Sequence, residues 1–136
     1  MGAAVLAAVL LVGCSAGPRG EDAVAAAREF FDAVADDDLD GACALLAPAT
    51  VDALERETGA SCPEAVGDGE TGLVLQAVAV TAQDAAASAT VAGRQAQVVL
   101  GDEVTFLTLS GDSWRVTATA CTPRPERPYD CELEGD

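Results

Sequence analysis

Glycine-containing turns divide the second half of the chain at regular intervals, and this spacing strongly limits the folds open to it. Gly93-Arg94, Gly101-Asp102 and Gly111-Asp112 separate short runs rich in β-branched residues. Turn residues at such intervals predict an antiparallel meander. A long Val-rich apolar run precedes them and is also interpreted as a strand. The predicted strands cover residues 73–82, 87–91, 95–100, 103–110 and 113–121.

The first half of the chain has the apolar spacing of helices instead. One helix is predicted over Glu21–Ala35, a second over Leu39–Ala47, and a third from an N-cap at Thr50 to Gly59. The tail, 122–136, is predicted to be irregular. Helices followed by strands favour an α+β fold, in which the N-terminal helices pack on one face of a curved antiparallel sheet.

The N-terminal segment has the pattern of an export signal. An apolar run, Ala3 to Val12, ends in Leu11-Val12-Gly13-Cys14, which resembles the lipobox of bacterial lipoproteins. The run is too short to cross a bilayer as a helix and suits the apolar part of a signal peptide, although no Lys or Arg precedes it. We expect lipidation at Cys14. A cleaved signal without lipid and a buried N-terminal helix are the alternatives.

These boundaries divide the chain into four parts. We predict a signal peptide at 1–13, a flexible tether at 14–21, a folded domain at 22–121, and a disulfide-tied acidic tail at 122–136. Acyl chains on one cysteine would anchor the domain to the extracytoplasmic face of the cell membrane.

The charge of the chain is strongly one-sided. Seven arginines and 23 acids give a formal net charge of −16. Nucleic-acid binding relies on a basic surface, so the sequence argues against it. Anionic lipid headgroups would also repel the chain, so membrane contact is expected to come from the lipid anchor. The acids keep the protein soluble or, alternatively, recognise a cationic partner.

Four cysteines remain after Cys14, an even set typical of an oxidising compartment. Cys43, Cys62, Cys121 and Cys131 allow three pairings, among which the sequence alone does not decide. We favour the local pairs, Cys43–Cys62 and Cys121–Cys131. A zinc site is disfavoured because the chain has no His and no Cys-x-x-Cys pair.

Several segments together resemble a known group of proteins. They are Gly111–Pro123, Pro128–Glu132, the helical opening Ala23–Ala47 and Cys62–Val66. The resemblance is to small lipoproteins of Gram-positive bacteria that have no agreed activity. It implies the cystatin-like roll of ketosteroid isomerase and nuclear transport factor two, in which a long helix closes a conical cavity over a curved sheet. The chain departs from this pattern at 67–86, which is longer than expected, and the resemblance implies no catalytic residues.

An acidic turn invites comparison with a calcium loop. Asp36, Asp38, Asp40 and Gly41 match positions 1, 3, 5 and 6 of the EF-hand pattern. The twelfth position, which should be a bidentate Glu, is Ala47. We therefore favour a solvated turn in which Asp38 caps the next helix, and we predict no metal and no cofactor.

The remaining candidates concern the cavity that the resemblance implies. An enzyme is disfavoured because the chain has no His and a single Tyr, and Asp32 is the acid whose burial would be informative. Phe31, Phe106, Leu107 and Trp114 are candidate lining residues for a small apolar ligand, or else ordinary core. We expect a non-enzymatic binding or accessory module. A filled core with an exposed flat patch would favour a protein partner, whereas a carboxylate buried in a cavity beside a donor would favour an enzyme.

Overall fold

The fold consists of five helices followed by five strands. A computed structural model describes residues 17–135. The helices are α1 (Gly17–Ala35), α2 (Leu39–Leu45), α3 (Pro48–Thr58), α4 (Cys62–Gly67) and α5 (Gly69–Ala82). The strands are β1 (Ala87–Ala92), β2 (Gln95–Leu100), β3 (Glu103–Ser110), β4 (Ser113–Pro123) and β5 (Tyr129–Glu134). They form one antiparallel sheet in the order β1-β2-β3-β4-β5. The predicted α+β class, with N-terminal helices on an antiparallel sheet, is confirmed.

The core lies between the helices and one face of the sheet, which we call the inner face. Helix α1 buries a row of side chains at helical spacing, and strands β2 to β5 contribute residues that point to this face. The large side chains of this core that are 2% exposed or less include Phe30, Phe31, Val34, Leu75, Val98, Leu100, Leu107, Val116 and Leu133. A smaller cluster around Val104, Ala118 and Phe106 lies on the opposite, outer face.

Helix α1 begins earlier than the sequence predicted. Residues 17–20, expected to be part of a flexible tether, form its first turn. This turn is tied to the sheet, because Nη2 of Arg19 donates to the carbonyl oxygen of Gly93 at 3.0 Å. Gly93 lies in the turn between β1 and β2. The start of α1 is thereby fixed at one end of the sheet.

The end of α2 and the start of α3 differ from the predicted bounds, because the segment that joins them contacts the sheet. Helix α2 stops at Leu45 because the backbone of Ala47 donates to the carbonyl oxygen of Val116 at 2.8 Å. Helix α3 then begins at Pro48 rather than after Thr50. Thr50 is not its N-cap: the Thr50 hydroxyl is buried and donates to the carbonyl oxygen of Thr117 at 3.0 Å.

The strand predicted over Leu73–Ala82 is wrong, because this segment belongs to helix α5. Its buried residues, Gly72, Leu75, Ala79 and Ala82, recur every three or four positions, which is helical spacing. The helix packs closely on the preceding one. A Cβ at Gly72 would lie 2.4 Å from the carbonyl oxygen of Gly67, so only glycine fits there.

The tail was also predicted wrongly as irregular, since it contains strand β5. Cys131 pairs with Cys121 in the register of β4 and β5, and the backbone of Gly135 donates to the carbonyl oxygen of Thr117 at 2.9 Å. The folded region therefore extends beyond the predicted 22–121 at both ends.

Both favoured disulfides are present. Cys43–Cys62 joins α2 to α4, and Cys121–Cys131 joins β4 to β5. Such bonds persist in oxidising surroundings, so they indicate an extracytoplasmic protein. Within residues 17–135 there is no helix with the length and apolar character needed to span a bilayer.

Candidate functional site: helix α5 and the grooves at its ends

A group of polar side chains lies on the inner face, where the sheet meets α5. Glu103 and Thr105 belong to β3, and Thr119 belongs to β4. Successive side chains of a strand alternate between its faces, so Glu103 and Thr105 point to the same side as Leu107. Both threonines are fully buried, and their hydroxyl oxygens lie 2.8 Å apart.

Glu103 accepts hydrogen bonds from this group through one oxygen. Its Oε1 lies 3.1 Å from the Thr119 hydroxyl and 3.3 Å from the Thr105 hydroxyl, and it accepts from the backbone of Ala120 at 2.7 Å. A hydroxyl carries a single proton. The shorter contacts therefore favour a chain in which Thr105 donates to Thr119 and Thr119 donates to Glu103. Ala120 has a positive φ of 53°, a conformation that its hydrogen bond to Glu103 helps to hold.

Partial burial raises the pKa of Glu103, because removal from water disfavours the charged carboxylate. The hydrogen bonds that Glu103 accepts, first from Ala120 and then from Thr119, lower its pKa and offset only part of this effect. The site therefore holds a carboxylate that is poorly hydrated and would gain from a cationic neighbour.

Glu103 borders an open groove of about 360 Å³ between α5 and the turn that joins β2 to β3. Val78 and Thr81 of α5 form one wall, and Leu100, Gly101 and Asp102 form the other. We call this the Glu103 groove. Two of its lining residues are acids and none is basic. An oxyanion site would need donors facing the groove, but the Thr119 hydroxyl and the Ala120 backbone N–H both donate to the Glu103 carboxylate itself.

A second acidic groove, of about 550 Å³, lies at the other end of α5. We call it the Glu132 groove. Its acids are Glu64, Asp68, Glu70 and Glu132, and no basic residue lines it. The hydroxyl of Thr71 donates to Oε1 of Glu132 at 2.9 Å, which connects α5 to the edge strand β5.

Between the two grooves, α5 exposes an apolar surface. Leu73 is 76% exposed and Val80 is 72% exposed. Among the residues that the structure describes, these two are the large hydrophobic side chains that are exposed to solvent. Ala77 lies between them and is also exposed. Residues spaced by four and three positions share one side of a helix. We call these three residues the α5 face.

Three of the four candidate ligand-lining residues lie in one core, and the fourth lies on the other face of the sheet. Phe31, Leu107 and Trp114 are packed in the main core. Phe106 lies on the outer face, where its ring contacts that of Tyr129 at a centroid distance of 5.1 Å. The prediction that these four residues share one cavity is therefore wrong for Phe106.

The other sequence candidates occupy ordinary structural positions. Asp32 is exposed, and its Oδ1 accepts from Nε2 of Gln83 at 3.3 Å. Asp38 caps α2 as predicted, with Oδ1 accepting from the backbone of Gly41 at 3.0 Å. Within 17–135, no three His, Cys, Asp or Glu residues are grouped so as to hold a metal ion. Cys14 lies outside the described residues.

Sequence reasoning missed both Glu103 and the α5 face. The alternation of Glu103, Thr105 and Leu107 along one strand was the available signal for the first. No sequence signal pointed to the α5 face, because its helix was interpreted as a strand. Comparison with protein families, with curated proteins and with solved structures gives no match.

The raised pKa of Glu103 predicts how its replacement changes the pH dependence of stability. The folded state binds this proton more tightly than the unfolded chain, whose pKa is near the ordinary 4.5. The contribution of Glu103 to the free energy of unfolding is therefore fully present below that pH and falls as the pH rises through the higher folded pKa. In Glu103→Gln, which retains the accepting Oε1, urea unfolding should show a smaller loss of stability above pH 4.5 than in the wild type.

The matched control is Glu57→Gln, which removes the same charge from an exposed position on α3. This variant should retain the pH dependence of the wild type over the same range. Parallel pH curves for Glu103→Gln and Glu57→Gln would contradict the assigned environment of Glu103.

Proposed function

We propose that this chain is an extracytoplasmic lipoprotein, anchored through Cys14, whose domain is a non-enzymatic module that binds a protein partner. The observation that carries the proposal is the contrast between the α5 face and the core. Leu73 and Val80 are about three-quarters exposed, whereas Phe31, Leu107 and Trp114 are buried. Exposed apolar patches commonly mark interaction surfaces. A filled core with such a patch favours a protein partner over a small apolar ligand.

The proposed location rests on two independent features. The Leu11-Val12-Gly13-Cys14 motif follows an apolar run, and the two disulfides suit an oxidising compartment. The resemblance to Gram-positive lipoproteins is part of the same proposal. An enzyme is less well supported, because the donors beside Glu103 are bonded to its carboxylate and do not face a substrate in the groove.

The short distance between Cys14 and α1 limits how far the start of the domain would lie from the membrane. Two residues, Ser15 and Ala16, separate Cys14 from Gly17, so the Cα atoms of Cys14 and Gly17 are at most about 11 Å apart. The β1–β2 turn, which Arg19 contacts, would then lie near the lipid surface. Consecutive turns of a meander lie at opposite ends of the sheet. The β2–β3 turn and the Glu103 groove would therefore lie at most about 20 Å farther out, the length of a six-residue strand.

Lipidation is tested by expressing the full-length chain in a bacterial host that processes lipoproteins and feeding it an alkyne fatty acid. The wild type should be labelled, should partition into Triton X-114, and should show a mature N-terminus at Cys14 by intact mass. Cys14→Ser should lose the label, whereas the neighbouring Ser15→Ala should keep it. Wild-type protein without acyl mass, or in the cytosolic fraction, would overturn the proposal.

A further inference from the structure

We propose that the α5 face and the two grooves that flank it form a docking site for a helix that is apolar along one side and cationic at both ends. This inference rests on the proposed function in treating the domain as a binding module. It adds the location of the surface and the chemistry of the partner.

Helix α5 is apolar on two opposite sides. Its buried row is Gly72, Leu75, Ala79 and Ala82, which packs against the rest of the protein. The opposite side of a surface helix is normally polar. In α5 that side carries Leu73, Ala77 and Val80 instead, with no arginine anywhere in the helix. Residues at positions i, i+4 and i+7 form a ridge of the kind that packs against a second helix.

Acidic residues lie at both ends of this ridge. At one end lie Glu70 and the other acids of the Glu132 groove. At the other end lie Asp102 and Glu103, together with Asp84 just after the helix. No basic residue lines either groove. Lys or Arg at both ends of a partner would complement this arrangement, and the half-buried Glu103 carboxylate would gain the cationic neighbour that it lacks.

The spacing of the acids sets the length of the partner. Glu70 and Asp84 are 14 residues apart on the chain, which corresponds to about 21 Å along a helix. A docked helix of about four turns, with basic residues in its first and last turns, would reach both grooves. Two other occupants are disfavoured by charge. A second copy of this chain would bring acids against acids, and anionic headgroups would be repelled in the same way.

The test uses the full-length lipoprotein in zwitterionic nanodiscs and a synthetic 16-residue helical peptide. The peptide carries Leu at three positions on one side and Arg in the first and last turns. By fluorescence anisotropy we expect saturable binding that exceeds binding to empty nanodiscs. Raising the NaCl concentration from 50 to 500 mM should weaken this binding at least ten-fold, because salt screens the charge pairs. A peptide with Glu in place of Arg should not bind.

Two variants with matched controls locate the binding. Leu73→Gln combined with Val80→Gln should weaken binding of the Arg peptide at least ten-fold. Glu70→Gln combined with Asp84→Asn should weaken it by a similar factor. Asp52→Asn combined with Glu57→Gln removes the same number of charges from exposed positions on α3 and should leave binding unchanged. All of these positions are exposed, so thermal melting should show that the variants remain folded.

The proposal is overturned if the Arg peptide does not bind at millimolar concentration, if the Glu peptide binds equally well, or if the α5 variants bind like the wild type. It is also overturned if the α5 variants convert a dimer to a monomer, since the face would then join two copies of this chain. Acylation of Cys14 is measured separately. Failure of peptide binding with normal acylation would therefore remove this inference and leave the lipoprotein assignment standing.

Discussion

Replacing Phe31 with alanine is expected to lower the free energy of unfolding by about 3–5 kcal/mol, the usual cost of truncating a buried phenylalanine. Phe31 is completely buried, and its ring contacts that of Phe30 edge-to-face at a centroid distance of 5.3 Å. Small domains are stable by only about 5–15 kcal/mol, so a loss of this size is a large share of the total. Urea unfolding followed by far-UV circular dichroism measures it.

Phe106→Ala is the matched control, because Phe106 is the same residue type on the outer face. Its ring is only partly buried and contacts Tyr129. The expected loss is smaller, about 1–2 kcal/mol, within the usual range for a single substitution. If Phe31→Ala left stability unchanged and instead abolished binding of an apolar ligand, Phe31 would line a cavity rather than fill the core.

Removing the Cys43–Cys62 disulfide by substituting both cysteines with alanine is expected to cost about 3 kcal/mol. The bond joins residues 19 positions apart and holds α2 against α4. Its loss restores conformational entropy to the unfolded chain. Cys62 is itself buried, and its backbone donates to Oε1 of Glu55 at 2.9 Å. The shift in the urea midpoint measures the effect.

The second disulfide provides the comparison for the first. Cys121 and Cys131 are 10 residues apart, so the chain-entropy account gives a loss about 0.5 kcal/mol smaller when both are replaced. Dithiothreitol should lower the midpoint of the wild type by at least as much as either double substitution. A wild-type midpoint insensitive to reductant would contradict disulfide formation in the protein as isolated.

The helix α5 could not be recognised from its pattern, for a physical reason. A helix is identified in a sequence by the alternation of an apolar side with a polar side. In α5 the buried Leu75 and the exposed Leu73 and Val80 are all apolar, so that contrast disappears. Length was the better criterion, since a run of ten or more residues favours a helix over a strand. The property that hid the helix is also the basis for its proposed docking role.

Part of the site could have been predicted from the alternation of side chains along a strand. Phe106 and Leu107 are consecutive in β3, so they must face opposite sides of the sheet, and assigning both to one cavity was avoidable. The shift of register between β3 and β4 could not be predicted from the sequence. Leu107 pairs with Val116 but Phe106 pairs with Ala118, which is a β-bulge. The bulge turns Ala118 to the outer face, where it packs with Val104. Thr119 then faces inward, where it meets Thr105 and Glu103.

The two edges of the sheet are secured in unequal ways. Strand β5 is covalently bonded to its neighbour through Cys121–Cys131, and Gly135 continues the contact with Thr117. Strand β1 pairs with β2 and packs against α1, but no disulfide holds it. Local opening is easiest where a segment is held by few interactions. Fluctuations that peel strands from the sheet should therefore start at β1 rather than at β5, which the disulfide holds to β4.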